Sequence, residues 1–227
     1  IILLFTTNFL RRVGSVNFIT SLSISAMGGQ AMKVMRLKFS LAKLFLREQH
    51  RHNKTLQGHK ATYVLLGEED GFSHQFCDSV FDDELPEYIL HGKSEEFGYY
   101  EGVLYCHRPI LGTMSIGRPV ARFKNKNIHE ITRICFNEKW KKSWHEKCYP
   151  SEFVKQGIDG YKELYPEVEK MITYIRQNES GAYLRHAGFR IDKSWSYNPN
   201  SKGWLSRGGN RTVNDMSSKH RFVLQIS

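Results

Sequence analysis

Apolar and polar residues alternate in "MRLKF" (Met35–Phe39), which predicts a first strand. Ser40 is placed to cap a following helix, "LAKLFLREQH", with Leu41, Leu44, Phe45 and Gln49 on one face. "ATYVLLG" (Ala61–Gly67) is β-branched and aromatic, as a strand requires. Residues 68–98 are acidic and only weakly periodic, which marks an insertion or long excursion. "GVLYC" and "GTMSIG" read as two strands paired in a hairpin across "HRPIL". "HEITRICF" (His129–Phe136) sets Ile131, Arg133 and Cys135 against Glu130, Thr132 and Ile134. A helix is expected from Pro150-Ser151, proline being suited to a first turn, with Phe153, Val154, Ile158, Tyr161 and Leu164 at helical spacing and an end before Pro166. "KMITYI" is a strand, "ESGAYLRHA" a helix with Gly188 as left-handed cap, and "RFVLQI" a last strand after "FRI". This order predicts an α/β (α+β) fold, a mixed, mostly antiparallel sheet with helices on both faces.

Composition narrows the partners. The 227 residues are 40% hydrophobic and carry a net charge of +10, so nucleic acid, an anionic membrane surface and a polyphosphate cofactor all match the charge. Cys77, Cys106, Cys135 and Cys148 form no C-x-x-C pair and read as reduced thiols in a reducing, cytoplasmic compartment rather than a four-cysteine zinc site. No acidic residue precedes Glu48, and "IILLFTTNFLRR" is too short to span a bilayer, which speaks against stable membrane association. Residues 1–34 are expected to be an N-terminal extension, disordered or upstream of a true start at Met32 or Met35, with residues 35–227 as the folded domain.

The strand–turn–Asn–helix–"AGF" stretch (Met171–Ile175, Asn178, Tyr183, Gly188-Phe189) resembles the C-terminal half of the GNAT acyltransferase fold. "FSLAKLFLREQHRHNKTLQGHKATYVLLG", "IGRPVAR", "HEITRICF", "ITYIRQNESGAYLRHAGFR" and "GWLSRGGNR…KHRF" further resemble, in that order, a small GNAT-like phage family related to the Mom DNA-modification protein. The resemblance implies an acetyl-CoA or related acyl-CoA donor and two central strands that part to admit the pantetheine arm. For the Mom group it implies modification of the exocyclic amine of adenine in DNA, which protects phage DNA from restriction, in a host bacterial cytoplasm. The glycine-rich donor loop such a fold carries is absent: "NEKWKKSWHEKCYPS" has no glycine. Lys139, Lys141, Lys142 and the amides near Ser151 either replace it or form a solvated basic loop.

Several side chains are candidates within that frame. Glu130 reads as general base toward an amine, or as half of an ion pair with Arg133 or Arg118. Tyr174 and Tyr183 read as phenols near the thioester sulfur, or as core. Arg133, Ser151, Asn178, Ser180 and Tyr183 are the donor-binding candidates, with helix capping an equal explanation for Asn178 and Ser180. His50, His52 and His59 offer a base, an anion-orienting group or metal ligands. Trp204, Arg207, Arg211, Lys219 and Arg221 interleave basic side chains with an aromatic, suited to DNA phosphates and base stacking or to a solvated hairpin edge. The alternatives are a GNAT acetyltransferase on a protein or small amine, and a catalytically silent nucleic-acid-binding protein.

Overall fold

The computed structural model describes residues 21–23, 33–49, 58–67, 74–77, 85, 89, 91, 94–95, 97–119, 123, 125, 127–137, 150–195 and 219–226. Its main sheet has eight strands in the order β1-β2-β3-β7-β8-β9-β11-β10. These are β1 Ser21–Ser23, β2 Lys33–Leu37, β3 His59–Leu66, β7 Ile110–Gly117, β8 Ile128–Phe136, β9 Lys170–Arg176, β10 Arg190–Ile191 and β11 Lys219–Gln225. β4 (His74–Cys77), β5 (Phe97–Tyr100) and β6 (Val103–Cys106) form a separate three-stranded sheet, ordered β4-β6-β5. The helices are α1 Phe39–Gln49, α2 Pro150–Leu164 and α3 Ala182–His186.

Helices cover both faces of the main sheet, as the apolar periodicity requires. Phe153, Val154, Ile158 and Tyr161 of α2 and Leu184 of α3 join Met114, Ile116, Ile131, Met171 and Phe222 in one core. Leu41, Ala42 and Leu44 of α1 join Met35, Leu37, Val64, Phe97 and Leu104 in a second, which ties the small sheet to the large one. Among the described residues no helix is long and apolar enough to cross a membrane.

Four local expectations are corrected. The strand expected at Met35–Phe39 is β2, which begins at Lys33 and ends at Leu37. The Ala42 N–H donates to the Lys38 carbonyl at 2.9 Å, so α1 opens ahead of Ser40, which lies inside the first turn instead of capping it. β6 does not form a hairpin with β7. It turns back on β5 through Glu101 and Gly102, whose φ values of 48° and 78° match the tight hairpin turn that follows strand twist. Pro109 then carries the chain into the main sheet, its carbonyl accepting the Gly67 N–H at 2.7 Å. Finally, α3 starts at Ala182, not among Glu179-Ser180. Gly181 is its N-cap, at φ 57°, and a β-carbon there would lie 2.7 Å from Ile175 and 2.8 Å from Phe222.

The end of α3 follows expectation. Gly188 has φ 95°, its N–H donates to the Arg185 carbonyl at 2.9 Å, and the Phe189 N–H donates to Leu184 at 3.0 Å. This is the paired arrangement by which a left-handed glycine satisfies the last helical carbonyls. It drives Phe189 into the core and returns the chain to β10.

Candidate active site at a fork in the sheet

β8 and β9 are parallel neighbours, and their register pairs run only from Ile128↔Lys170 to Ile131↔Thr173. Beyond that level no register pair joins them, although β8 runs on to Phe136 and β9 to Arg176. At the parting point the Thr173 hydroxyl donates to the Ile131 carbonyl at 2.9 Å. A buried acceptor is thereby satisfied where the ladder stops. Past this point the two strands part into a fork, as the resemblance implies.

Two bulges decide which side chains face it. Along β7, Gly117, Ile116 and Ser115 pair with His59, Ala61 and Thr62 of β3, so Lys60 is an extra residue. The same three pair with Glu130, Ile131 and Arg133 of β8, so Thr132 is extra as well. Each insertion restarts the alternation one residue late. In consequence His59, Gly117 and Glu130 form one row across the sheet, and Thr62, Ser115 and Arg133 the next, all on one face. The simple alternation that sets Arg133 opposite Glu130 is thus corrected. Cys135 follows Arg133 on that face, its thiol pushed up to about 11 by burial, with Arg133 opposing.

Glu130 is 7% exposed and shares a face with Tyr174, whose phenol is pushed up by burial and further by the Glu130 charge, while Arg221 pulls it down. Tyr183 packs edge-on against Phe136 at the outer end of β8, ring centroids 5.7 Å apart. Burial pushes its phenol up to about 12. Phe136 in turn meets Phe153 of α2. Buried Ser151 stands in the first turn of α2 beside Glu152. Asn178 and Ser180 are exposed; the Ser180 hydroxyl accepts the Ala182 N–H at 3.4 Å.

His59 sits at the edge of this face on the ring of Phe39. Its Nε2 lies 2.9 Å from the Thr62 hydroxyl, which lies 2.7 Å from that of Ser115. Burial, helped by Arg36, lowers its pKa from an ordinary 6.5 to about 4. Between those values the unfolded chain holds a proton that the folded chain does not, so stability rises with pH across the window. Denaturant melts are therefore expected to show stability draining away as pH falls from 6.5 toward 4, and His59→Gln to flatten that slope. His50 and His52 lie outside the described residues, and so do Trp204, Arg207 and Arg211. Among the described residues no group of three metal-liganding side chains occurs. Lys219 and Arg221 both lie on β11, and Arg221 is engaged with Asp192. Asp192 and Trp195 belong to no motif in the sequence; the one local signal for them is the turn composition of "DKS".

Strand order, fork and the Gly-Phe-closed helix define a GNAT-like fold. No protein-family model matches the chain. No curated protein matches it either. Among solved structures the chain is similar to a Bacillus subtilis acetyltransferase in complex with CoA, with 10% identity over 92% of this chain and 99% of that one and a TM-score of 0.44. It is similar also to the ribosomal-protein-S5-alanine acetyltransferase from Vibrio fischeri, with 13% identity, 90% and 96% coverage and a TM-score of 0.46. For the ribosomal-protein-S18-alanine N-acetyltransferase from Escherichia coli the values are 8%, 86%, 94% and 0.44. Scores this low leave the fold to be defined by the strand order and the fork.

Proposed function

We propose that the protein is an acyltransferase that moves an acyl group from an acyl-CoA thioester to an amine. The observation that carries this reading is the fork, with Glu130 and Tyr174 on one face beside it. The edge of β8 beyond Ile131, past its last register pair with β9, suits the amides of a pantetheine arm, much as a sheet edge accepts an added strand. Phe136 and Tyr183 would wall the arm, and the first-turn amides at Ser151 and Glu152 would meet its phosphates. Arg133, on the Glu130 face of β8, would stand over the arm. The bound donor supplies an acyl group already activated as a thioester.

In the transfer, the amine nitrogen attacks the thioester carbonyl, a C–N bond forms and the C–S bond breaks. Glu130 takes the proton that leaves the nitrogen, and Tyr174, held protonated by burial, gives one to the departing sulfur. The net result is an amide and a free thiol. Saturating acetyl-CoA, at about 100 times its Kd, is expected to raise the melting temperature by roughly 5–10 °C. No shift with any acyl-CoA would remove the donor site from this account.

A narrower acceptor, the adenine amine in DNA, is favoured by the net charge of +10 and by the resemblance to the Mom-related group. DNA affinity should then fall steeply with salt. Mass spectrometry of nucleosides from cells expressing the protein is expected to show a new adenosine mass that a Glu130→Ala strain lacks. If only proteins or small amines gain an acyl group, the acceptor is one of those instead.

A further inference from the structure

Arg221 of β11 stands directly across from Tyr174 of β9 in the sheet register. Its Nε donates to Asp192 Oδ2 at 2.9 Å, and a terminal nitrogen donates to the same oxygen. Burial pushes the Tyr174 phenol up, and Arg221 opposes that rise. Its planar head lies over the rings of Trp195, at 5.5 Å, and Phe123, at 5.8 Å. Trp195 packs edge-on against Tyr174, centroids 5.2 Å apart.

Asp192 is just as fully used. Its N–H donates to the Arg221 carbonyl at 2.9 Å, while Oδ1 accepts the Ser194 N–H and hydroxyl at 3.0 and 2.6 Å. The Trp195 N–H closes the turn on the Asp192 carbonyl at 3.3 Å. Both charged side chains are largely buried, at 15% and 18% exposure. A guanidinium spent on a carboxylate and two rings is poorly placed to grip phosphate, the role its basic surroundings in the sequence suggest.

The shared packing matters most: Arg221 and Tyr174 are cross-strand partners, and both lie on the Trp195 ring. A guanidinium carries donors only, so Arg221 makes no claim on the phenolic hydrogen. We propose that Arg221, with Asp192 as its counter-ion, is a positioning residue of the transfer site: together with Trp195 it holds the Tyr174 ring at the β9 lip of the fork and leaves the O–H to turn toward the departing sulfur. The use of the phenol rests on the acyl-transfer reading; the clamp itself does not.

The test reads the clamp without turnover. Tyrosines are labelled with 13C at Cζ, and the Tyr174 signal is identified as the one lost in Tyr174→Phe. Among the groups that face this phenol, Arg221 favours its ionised form while Glu130 and Asp192 oppose it. Arg221→Gln should therefore move the Tyr174 titration upward and Asp192→Asn should move it downward, each in a chain that still melts cooperatively. A Tyr174 titration unmoved by both changes overturns the proposal. Where Arg221→Gln does not fold, Arg221→Lys, which keeps charge without the fork, serves with Asp192→Asn. In parallel, thiol release from acetyl-CoA is followed with double-stranded DNA and with polylysine as acceptors. Arg221→Gln should lower kcat by about ten-fold or more with the donor KM held. Absence of release from the wild-type chain counts against acyl transfer, whereas the titration still decides the clamp.

Discussion

Glu130→Gln should keep the fold and the donor affinity and lower kcat by roughly 10²–10⁴-fold. Glutamine has nearly the size and hydrogen-bonding reach of the carboxylate but cannot take the proton that an attacking amine must lose. Glu130 stands in the last paired stretch of β8, one residue before the fork, and is 7% exposed. Removal of a base that acts only as the C–N bond forms should depress kcat and kcat/KM together. Steady-state kinetics with acyl-CoA varied are the check. A raised donor KM with an intact kcat would instead make Glu130 a binding residue and leave the proton without its acceptor.

The largest stability effect is expected at Gly117→Ala. Its φ is not in the left-handed region, so alanine fits the backbone, and the cost is purely steric. A β-carbon there would overlap the carbonyl of Gly58 and lie 3.2 Å from the His59 Cα. Gly58 is itself held, with φ 64° and its oxygen accepting the Arg118 N–H at 2.7 Å, so backbone rather than a pliable side chain must yield. Overpacking of this kind costs about 2–3 kcal/mol, a drop of roughly 5–10 °C in melting temperature for a chain of this size. Gly98→Ala is the matched control: its nearest neighbour, the His107 ring, is 3.6 Å away, and little change is expected. Because Gly117 separates His59 from Glu130 in the same row, Gly117→Ala should also reduce transfer at temperatures where it is still folded.

What the residues disclose and what they conceal divide along physical lines. The helix closed by Gly188-Phe189 was legible because a left-handed cap is a local event with a local signature. The strands at Ala61, His129 and Lys170 were legible from apolar content, and helix α2 from its periodicity and Pro150. The β5–β6 hairpin is hard to read because only Gly102 advertises the turn, while Glu101 adopts positive φ without a glycine to announce it. The bulges at Lys60 and Thr132 were invisible because they exist only in relation to β7. Simple alternation without them turns Arg133 away from Glu130, and the Arg221–Asp192 contact, between residues 29 positions apart, leaves no trace in local pattern.

The two extra residues flank the same rung, Ile116, one from each side. They act as a pair of offset teeth: β3 and β8 slip by equal amounts relative to β7, and His59, Glu130 and Arg133 stay in phase. Because each is the surplus residue, loss of the single codon for Lys60 or Thr132 would leave an even ladder in which His59, Thr62, Glu130 and Arg133 keep their present face. Such a deletion should therefore be tolerated far better than the insertion of one more residue after Thr132, which alternation would answer by turning Arg133 toward the α2 side of the sheet.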